Sequence, residues 1–401
     1  MNRKVTLLYI SLACVLSVQA QTRQQMGGVY YAYPEGPSAK TGTFGKVTYV
    51  MSDSLNVPQG YAPFYISHYG RHGSRWMPKD DRYVWICKHF EDESNLTPLG
   101  LQVKGMLQRV WENAKGNGGK LSKLGALQHQ GIAHRMFERY PQIFAAGNAV
   151  KARSSVVDRC AKSMLAFSSE LHTLQPGLNL DVKTDSADMA WIAYASPEVK
   201  ALENRTHVQA QVSPRRFLLQ LFKDVSKVDE PLKLMTEMHT VASSIQDVGL
   251  NFSSYPQDIE DGLNALFTDD EFRAIYEANN LRMAINNGTV ATNEDIPARS
   301  AISLWQNIEA EADRALRSVK SSATLRFGHD TALYRLLSLL FDVNVPPAGA
   351  REEASLVVLG DEMEKMDRVV PMAANLQMIF YKNAKDSVLV KFMLNERDVM
   401  L

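Results

Sequence analysis

Two arginines and a histidine stand within five residues of one another in the segment Arg71-His72-Gly73-Ser74-Arg75. The forked guanidinium group of arginine matches the oxygens of a phosphate, and a histidine among such groups is placed to attack phosphorus. The glycine beside the histidine lets the backbone approach a ligand closely. The alternative is a basic surface turn. The apolar, aromatic run before Arg71 indicates a buried strand, and a buried strand that leads into this cluster favours a phosphate site.

Two later segments share this layout, in which a predicted strand is followed by Arg or His and then by a helix. They are Arg153-Ser154-Ser155 and His329-Asp330-Thr331. In open α/β sheets ligands bind beside the carboxyl ends of the strands, so we expect the three segments to converge on one crevice. Together they would supply a phosphate-sized anion site with a nucleophile and an acid. The alternatives to a phosphate site are that Arg153 is simply solvated and that His329-Asp330 only caps the following helix.

Strand and helix patterns alternate through most of the chain and define the predicted fold class. Strands are predicted at 46–51, 64–70, 149–152, 178–183 and 323–327, with a terminal hairpin at 375–382 and 387–394, and helical patterns lie between them. This order favours a three-layer α/β sandwich with a mostly parallel central sheet. Only helical patterns occur between about 197 and 318. We therefore predict an α/β catalytic domain at 21–195 and 320–401, and an inserted all-helical cap domain at 196–319.

The composition and the N-terminus indicate an exported enzyme. The 401 residues include 45% hydrophobic and 22% charged residues and carry no formal net charge, which argues against a nucleic-acid partner. Residues 1–20 combine Arg3 and Lys4 with a short apolar run and a small residue at Ala20, which is typical of a signal peptide. We expect export to the periplasm or secretion. Cys14 leaves lipoprotein anchoring open. No later stretch is long and apolar enough to span a membrane.

With these motifs in order, the sequence resembles the histidine acid phosphatase family, the high-molecular-weight branch of the histidine phosphatases. The resemblance is carried first by Arg71–Arg75 and by Gly328-His329-Asp330-Thr331. Further matching segments are Leu121–Gly125 with Arg139-Tyr140-Pro141, Arg153–Arg159, and Pro371–Tyr381. The last of these resembles the branch that contains bacterial multiple inositol polyphosphate phosphatases and histidine acid phytases. The implied fold is phosphoglycerate mutase-like.

The resemblance implies a role for each matching residue. His72 would be the nucleophile that becomes phosphohistidine, and Asp330 would protonate the leaving oxygen. The groups that would bind the phosphoryl group are Arg71, Arg75, Arg153 and His329. The family uses no metal or other cofactor, and its substrate is a small phosphate ester. Because Asp330 must hold a proton to act as an acid, an acidic optimum is expected.

Two departures from the family pattern bear on the substrate. Proline follows the second arginine one place later than usual, in Trp76-Met77-Pro78-Lys79. Inositol polyphosphate phosphatases often carry His-Ala-Glu at the donor site, where this chain has His329-Asp330-Thr331. Inositol polyphosphates are the expected substrates, with a broad acid phosphatase or sugar phosphatase as the alternative. Trp76 and Lys79 are candidates for the substrate pocket, although a plain surface role fits them equally.

Two other classes of function fit parts of the sequence. A phosphate-binding protein without activity would need neither His72 nor Asp330, so their presence favours an enzyme. A phosphate-transferring mutase acts on cytosolic metabolites, so the predicted export signal argues against that activity.

Several single residues also admit other interpretations. His68 and His72 have the spacing of a helical zinc pair, but the strand pattern and the absence of an acidic ligand argue against zinc. Arg159 is expected to be structural, paired with a carboxylate. Cys160 is expected to be a core residue, and a disulfide between Cys87 and Cys160 is permitted in an exported protein.

Overall fold

The computed structural model describes residues 22–33, 41–44, 47–50, 59–250, 262–290, 293–341, 344–345 and 366–399. The predicted signal peptide at 1–20 and Cys14 lie outside these residues. Within the described ranges, no helix combines the length and the apolar character that a membrane crossing requires.

The strands of the described chain form one large sheet and two small ones. Their bounds are β1 (Thr41–Phe44), β2 (Val47–Val50), β3 (Tyr61–Arg71), β4 (Ala149–Ser154), β5 (Asn179–Thr184), β6 (Thr289–Val290), β7 (Ser322–Gly328), β8 (Asn344–Val345), β9 (Asn375–Asn383), β10 (Val388–Leu394) and β11 (Arg397–Val399). The α-helices are α1 (Asp80–Lys88), α2 (Pro98–Ala114), α3 (Lys123–Arg139), α4 (Asp158–Leu174), α5 (Met189–Ile192), α6 (Pro197–Arg205), α7 (Arg215–Leu219), α8 (Pro231–Val248), α9 (Asp269–Asn287), α10 (Ile296–Ser300), α11 (Ile302–Leu316), α12 (Asp330–Phe341) and α13 (Met366–Val369).

The central sheet has seven strands in the order β11-β10-β9-β3-β7-β4-β5. The strands β3, β7, β4 and β5 run parallel to one another. The strand β9 is antiparallel to β3 and forms an antiparallel meander with β10 and β11, which includes the predicted terminal hairpin. Five of the seven strands therefore point the same way, which confirms the predicted mostly parallel sheet.

Helices cover both faces of this sheet. On one face α3 and α4 pack against strand residues such as Ile66 and Leu325. On the other face α11 and α12 pack against Tyr69 and Leu376. Because successive side chains of a strand point to opposite faces, Ile66 and Tyr69 fall on opposite sides of β3. The three-layer α/β arrangement is thus confirmed.

The helices α2 and α3 start with the same capping arrangement. The side-chain hydroxyls of Thr97 and Ser122 accept hydrogen bonds from the amides of Gly100 and Gly125 at 3.0 and 3.1 Å. Such a hydroxyl satisfies a backbone amide that has no partner inside the helix. A Cβ atom on Gly125 would lie only 2.3 Å from the carbonyl oxygen of Ser74. The start of α3 therefore lies directly against the loop that follows β3.

The chain between α6 and α11 is largely helical, as predicted, and is interrupted by the short strand β6. The helices α7, α8 and α9 share an apolar cluster with α1 and α2, which precede them in the chain. The helix α11 returns to the sheet, where Ala315 packs with Phe64 and Tyr65. The core of the helical layer therefore draws on residues outside 196–319. The assignment of 196–319 as an inserted domain stays a prediction.

Candidate active site

The loop after β3 and the start of α12 meet at one edge of the sheet. The strand β7 pairs in parallel with β3, and Arg71 stands opposite Gly328 at their carboxyl ends. The amide of His72 donates to the carbonyl oxygen of Gly328 at 3.0 Å, and the carbonyl of His72 accepts from the amide of Ala373 at 3.0 Å. These bonds hold Arg71–Arg75 beside His329-Asp330, as the sequence predicted.

Gly73 fixes the loop against α3. A Cβ atom at this position would lie 2.4 Å from the carbonyl oxygen of Gly125, so only glycine fits without displacement of the backbone. The amide of Gly73 donates to Ser163 Oγ at 3.1 Å, and the amide of Ser74 donates to Gln128 Oε1 at 2.9 Å. From the sequence, Gly73 is expected to let the backbone approach a ligand closely. In the structure, the atoms that approach Gly73 closely belong to the backbone of α3 at Gly125. Hydrogen bonds to Gln128 of α3 and Ser163 of α4 hold the loop.

His72 is a buried, neutral imidazole. Its Nδ1 lies 3.0 Å from the carbonyl oxygen of Gly73, so the neutral ring carries its proton on Nδ1 and donates it there. Burial lowers the pKa of His72 well below its usual value, and the positive charges of Arg71, Arg75 and Arg159 lower it further. The Nε2 atom therefore keeps a free electron pair, which is the form a nucleophilic histidine needs.

Arg71 is held rigidly, with none of its surface exposed. Its Nη1 donates to the carbonyl oxygens of Val29 and Val370 at 2.7 and 2.6 Å. Its Nη2 forms an ion pair with Asp330 Oδ2 at 3.0 Å. The two carbonyl bonds fix the guanidinium plane, and Nη2 is the nitrogen for which an entering phosphate would compete with Asp330.

Arg75 is also buried, but its guanidinium group makes fewer of these contacts than that of Arg71. Its Nη1 donates to the carbonyl oxygen of Trp76 at 2.8 Å, and its guanidinium carbon lies 5.3 Å from the centre of the Tyr30 ring. The Nε of Arg75 has no hydrogen-bond partner within the described part of the chain. Arg75 therefore retains donor capacity for an anion.

Arg153, which the sequence predicted as a phosphate ligand, does not join the cluster. Its Nη2 forms an ion pair with Asp181 Oδ2 at 2.5 Å, and its Nη1 donates to the carbonyl oxygen of Asp181 at 2.7 Å. Its Nε lies 3.9 Å from Asp188 Oδ2. The side chain thus runs to Asp181 on β5 and toward Asp188 in the turn after β5, where the two carboxylates compensate its charge, and this prediction is corrected.

Arg159, in the first turn of α4, lies near His72 and His329 instead. Its charge lowers the pKa of both His72 and His329. Burial lowers the pKa of Arg159 itself, as does the positive charge of Arg75. Its Nε has no hydrogen-bond partner among the residues that the structure describes. The sequence favoured a structural role for Arg159, but this position beside the histidines favours phosphate binding.

His329 faces His72. Its ring centre lies 5.7 Å from that of His72, with the two rings edge to face. Its Nε2 lies 3.3 Å from Ser155 Oγ. Burial lowers the pKa of His329 to about 4, and the charge of Arg159 contributes. Above that pH the ring is neutral and can donate one N–H to a phosphoryl oxygen.

Asp330 begins α12 and is ionised in the free protein. Burial raises the pKa of Asp330, but the charges of Arg71, His329 and Arg75 outweigh burial and hold the pKa below its ordinary value. Its Oδ1 also accepts a hydrogen bond from the amide of Thr331 at 2.9 Å. To act as an acid, Asp330 must gain a proton when substrate binds.

A cavity of about 400 Å³ opens beside Asp330 and Thr331. It lies between the 3₁₀ helix Gln25–Tyr30 and the helices α8 and α9, and its wall includes the basic residues Arg82 and Arg282. The cavity shares Asp330 with the cluster around His72.

The two candidate pocket residues from the sequence lie elsewhere. Trp76 packs against the apolar cluster of the helical layer, and its Nε1 donates to Asn113 Oδ1 at 2.7 Å. Lys79 is exposed just before α1. Neither residue lines the cavity beside Asp330.

The free thiols of Cys87 and Cys160 form no disulfide with each other. Cys160 is completely buried, and its Sγ donates to the carbonyl oxygen of Gly328 at 3.2 Å and lies 3.8 Å from His329 Nε2. Burial raises the pKa of the Cys160 thiol to about 11. Cys160 is therefore a core residue, as predicted, and packs beneath His329.

His68 is separated from His72 by extended strand rather than by a helical turn. Its ring lies 5.3 Å from those of Phe167 and Phe327, and neither nitrogen has a hydrogen-bond partner in the described chain. Among the described residues, no group of three or more His, Cys, Asp or Glu side chains is arranged to hold a metal ion.

Comparison with known proteins agrees with the motifs. No protein-family model matches the chain. The chain is 24% identical over 298 residues to the multiple inositol polyphosphate phosphatase 1 of Gallus gallus, a match that covers 70% of this chain and 64% of that relative. The chain thus spans less than two thirds of the length of this relative.

Solved structures share the fold at low identity. The Bifidobacterium longum multiple inositol polyphosphate phosphatase, in complex with inositol hexasulfate, superposes with a TM-score of 0.67 at 17% identity over 93% of this chain and 92% of that chain. The phytase from D. castellii superposes with a TM-score of 0.62 at 12% identity over 94% and 80%. These comparisons confirm the resemblance to the histidine acid phosphatases and show that the chain has their fold.

Proposed function

We propose that this chain is a histidine acid phosphatase that hydrolyses inositol polyphosphates through a phosphohistidine at His72. One observation carries the proposal: a buried, neutral imidazole with a free Nε2 lies among Arg71, Arg75 and Arg159, with Asp330 beside them. The names of the relatives support the same activity.

In the first step Nε2 of His72 attacks the phosphorus atom. The P–N bond forms as the ester P–O bond breaks, and the electron pair of that bond stays on the leaving oxygen. Positive charge offsets the charge on the three remaining phosphoryl oxygens. The groups that supply it or donate hydrogen bonds are Arg71, Arg75, Arg159 and His329.

The proton for the leaving oxygen comes from Asp330. In the free protein Asp330 is ionised and paired with Arg71. A bound phosphate takes over Nη2 of Arg71 and adds negative charge beside the carboxylate, and both changes raise the pKa of Asp330. Substrate binding therefore draws a proton onto Asp330, and the activity should be greatest at acidic pH.

In the second step water attacks the phosphohistidine. The carboxylate of Asp330 accepts a proton from the water as the new P–O bond forms and the P–N bond breaks. Inorganic phosphate leaves, and His72 returns to its neutral form. No step requires a metal ion.

Inositol polyphosphates are the proposed substrates because the relatives are named for them and because basic side chains line the cavity beside the donor. A broad acid or sugar phosphatase is the second candidate, and Asp330 at the donor position, in place of the Glu of a His-Ala-Glu segment, favours it. Comparing kcat/KM for inositol hexakisphosphate with that for an aryl phosphate at about pH 5 separates the two. A clear preference for the aryl phosphate would reject the inositol assignment.

The donor role of Asp330 has its own test in Asp330→Asn. The loss of kcat/KM, which reports the phosphorylation step, should be large for an alkyl phosphate, whose leaving group needs the proton, and small for an activated aryl phosphate. Equal losses for both leaving groups would argue against Asp330 as the acid. A protein that binds phosphate but releases none from any ester would instead be a non-catalytic phosphate-binding protein.

We further propose that the protein is exported, with residues 1–20 removed as a signal peptide. The charged start, the apolar run and the small residue at Ala20 support this. Mature protein that begins at Gln21 and fractionates with the periplasm or the medium is expected. Membrane association that Cys14→Ser abolishes would instead support the lipoprotein alternative.

A further inference from the structure

Asp247, in the last turn of α8, is a fully buried carboxyl group that the reaction above does not use. Its Oδ1 accepts a hydrogen bond from Ser74 Oγ at 2.6 Å, while its Oδ2 has no partner among the described residues. A buried carboxylate that accepts one hydrogen bond is poorly compensated, whereas the protonated acid carries no charge to compensate. The surroundings of Asp247 therefore favour the neutral acid.

The hydrogen bonds around Asp247 hold the segment Arg71–Arg75, here called the catalytic loop, in place. Ser74 stands between His72 and Arg75, and its Oγ also accepts from Gln128 Nε2 at 2.9 Å. Ser122 Oγ lies 2.7 Å from the carbonyl oxygen of Asp247 and 3.0 Å from that of Ser74. The end of α8 is thus tied to the loop, and to the start of α3, through both the side chain and the backbone of Asp247.

Two charged groups face Asp247 from the loop, Arg71 and Arg75, and both favour its ionised form. Burial opposes them and is the larger effect, so it raises the pKa of Asp247 to about 8. Other elements packed against α8 carry the titratable groups Tyr30, Tyr83 and His129. Burial raises the pKa of Tyr83 to about 12 and lowers that of His129 to about 3, so neither changes charge near pH 8.

We propose that Asp247, in its neutral form, is a positioning residue that holds Ser74 and, through Ser74, His72 and Arg75. The ionisation of Asp247 then sets the alkaline limit of phosphate binding. The reason is competition: an ionised Asp247 and a bound phosphate both require the charge of the same two arginines. By linkage, the ionised carboxylate weakens anion binding and a bound anion keeps Asp247 protonated. This inference rests on the phosphatase function proposed above.

The test uses inorganic sulfate, a phosphate mimic whose charge does not change between pH 6.5 and 9.5. Calorimetric titration of wild-type protein should show sulfate binding about tenfold weaker at pH 9 than at pH 7, because one proton is linked to binding above pH 8. In Asp247→Asn, whose amide oxygen can still accept from Ser74, the affinity should be independent of pH over this range. Asp313→Asn, at an exposed position on α11, is the matched control and should behave as wild type.

A second pair of variants separates positioning from folding. Asp247→Ala removes the acceptor for Ser74 and should lower kcat with an aryl phosphate about tenfold at all pH values, while Asp247→Asn restores most of the rate. Infrared spectra provide a further measurement. The carbonyl stretching band of a protonated carboxylic acid should be present at pH 6.5 in wild type, and it should be missing from Asp247→Asn.

Three results would overturn the inference. They are sulfate affinity in wild type that does not weaken between pH 7 and 9, the same weakening in Asp247→Asn, and no protonated-acid band at pH 6.5. The first and third need only wild-type protein, so they hold even if the variants fold poorly. Protein that binds no sulfate at any pH and hydrolyses no phosphate ester would instead refute the proposed function itself.

Discussion

Arg159→Ala and Arg153→Ala form a matched pair that tests where the third phosphate-binding arginine lies. The two residues stand six positions apart, and both belong to the segment that resembles the family. Arg153 is bound by Asp181 beside β5, whereas Arg159 lies close enough to His72 and His329 to lower the pKa of each. The two substitutions should therefore differ strongly in their effect on activity.

The expected loss in Arg159→Ala follows from the bonds that its guanidinium would make. A hydrogen bond to a charged group contributes about 1.5–3 kcal/mol, and removal of one preorganised donor from a transition-state site costs about 2.7–4 kcal/mol. Relief of the repulsion between Arg159 and Arg75 offsets part of this loss. We expect kcat/KM to fall about 10²- to 10³-fold.

Arg153→Ala should change kcat/KM by less than about twofold. Its partner Asp181 is 62% exposed, and exposed ion pairs contribute about 0–1 kcal/mol to stability. Steady-state assays with an aryl phosphate, with circular dichroism to establish folding, measure both variants. A larger loss in Arg153→Ala than in Arg159→Ala, or equal losses in two folded proteins, would refute this assignment.

Two further predictions concern stability. Burial lowers the pKa of three histidines, His68, His129 and His239, to about 3, so below pH 6.5 they bind fewer protons in the folded protein than in the unfolded chain. Each should therefore reduce the free energy of unfolding by about 2.3 kcal/mol between pH 6.5 and pH 4.5, as urea titrations at the two pH values would show. Unchanged stability over this range would contradict their neutral burial. Glu396→Gln should destabilise the protein by about 3–5 kcal/mol in urea titration, since it removes the negative charge from a buried ion pair in which Arg135 Nε lies 2.9 Å from Glu396 Oε1. A decrease of less than about 1 kcal/mol in the free energy of unfolding would contradict this prediction.

The two main segments of the site are predictable because each has a local signal. An apolar strand that ends in Arg71-His72-Gly73, and another that ends in Gly328-His329-Asp330, can be recognised from consecutive residues. In a parallel sheet the carboxyl ends of neighbouring strands lie at the same edge, so the strand order brings these two segments together. The fold class places both segments at one edge of the sheet, and the pairing of β3 with β7 makes them neighbours.

Arg153 lies outside the cluster because the direction of a side chain depends on distant partners. Arg153 turns toward Asp181, and only the pairing of β4 with β5 brings these residues together. A usable signal did exist for Arg159. The first turn of a helix that follows a parallel strand lies at the ligand edge of the sheet, so its basic residues are candidates for anion binding.

Asp247 had no comparable signal. It lies 173 residues from Ser74, and their contact depends on how α8 packs against α1, α3 and the catalytic loop. A single Asp near the end of an amphipathic helix is ordinarily a solvated residue. Its burial becomes visible only once the tertiary structure is known.

The proposed mechanism requires that His72 be phosphorylated during turnover. Asp330→Asn should accumulate the intermediate from an aryl phosphate, because phosphorylation then needs no acid while hydrolysis lacks its base. Alkaline quenching, which preserves phosphohistidine, followed by peptide mass spectrometry should find close to one phosphoryl group per chain on His72 and none in His72→Ala. Turnover by wild type with no phosphorylated His72 in either protein would contradict this mechanism.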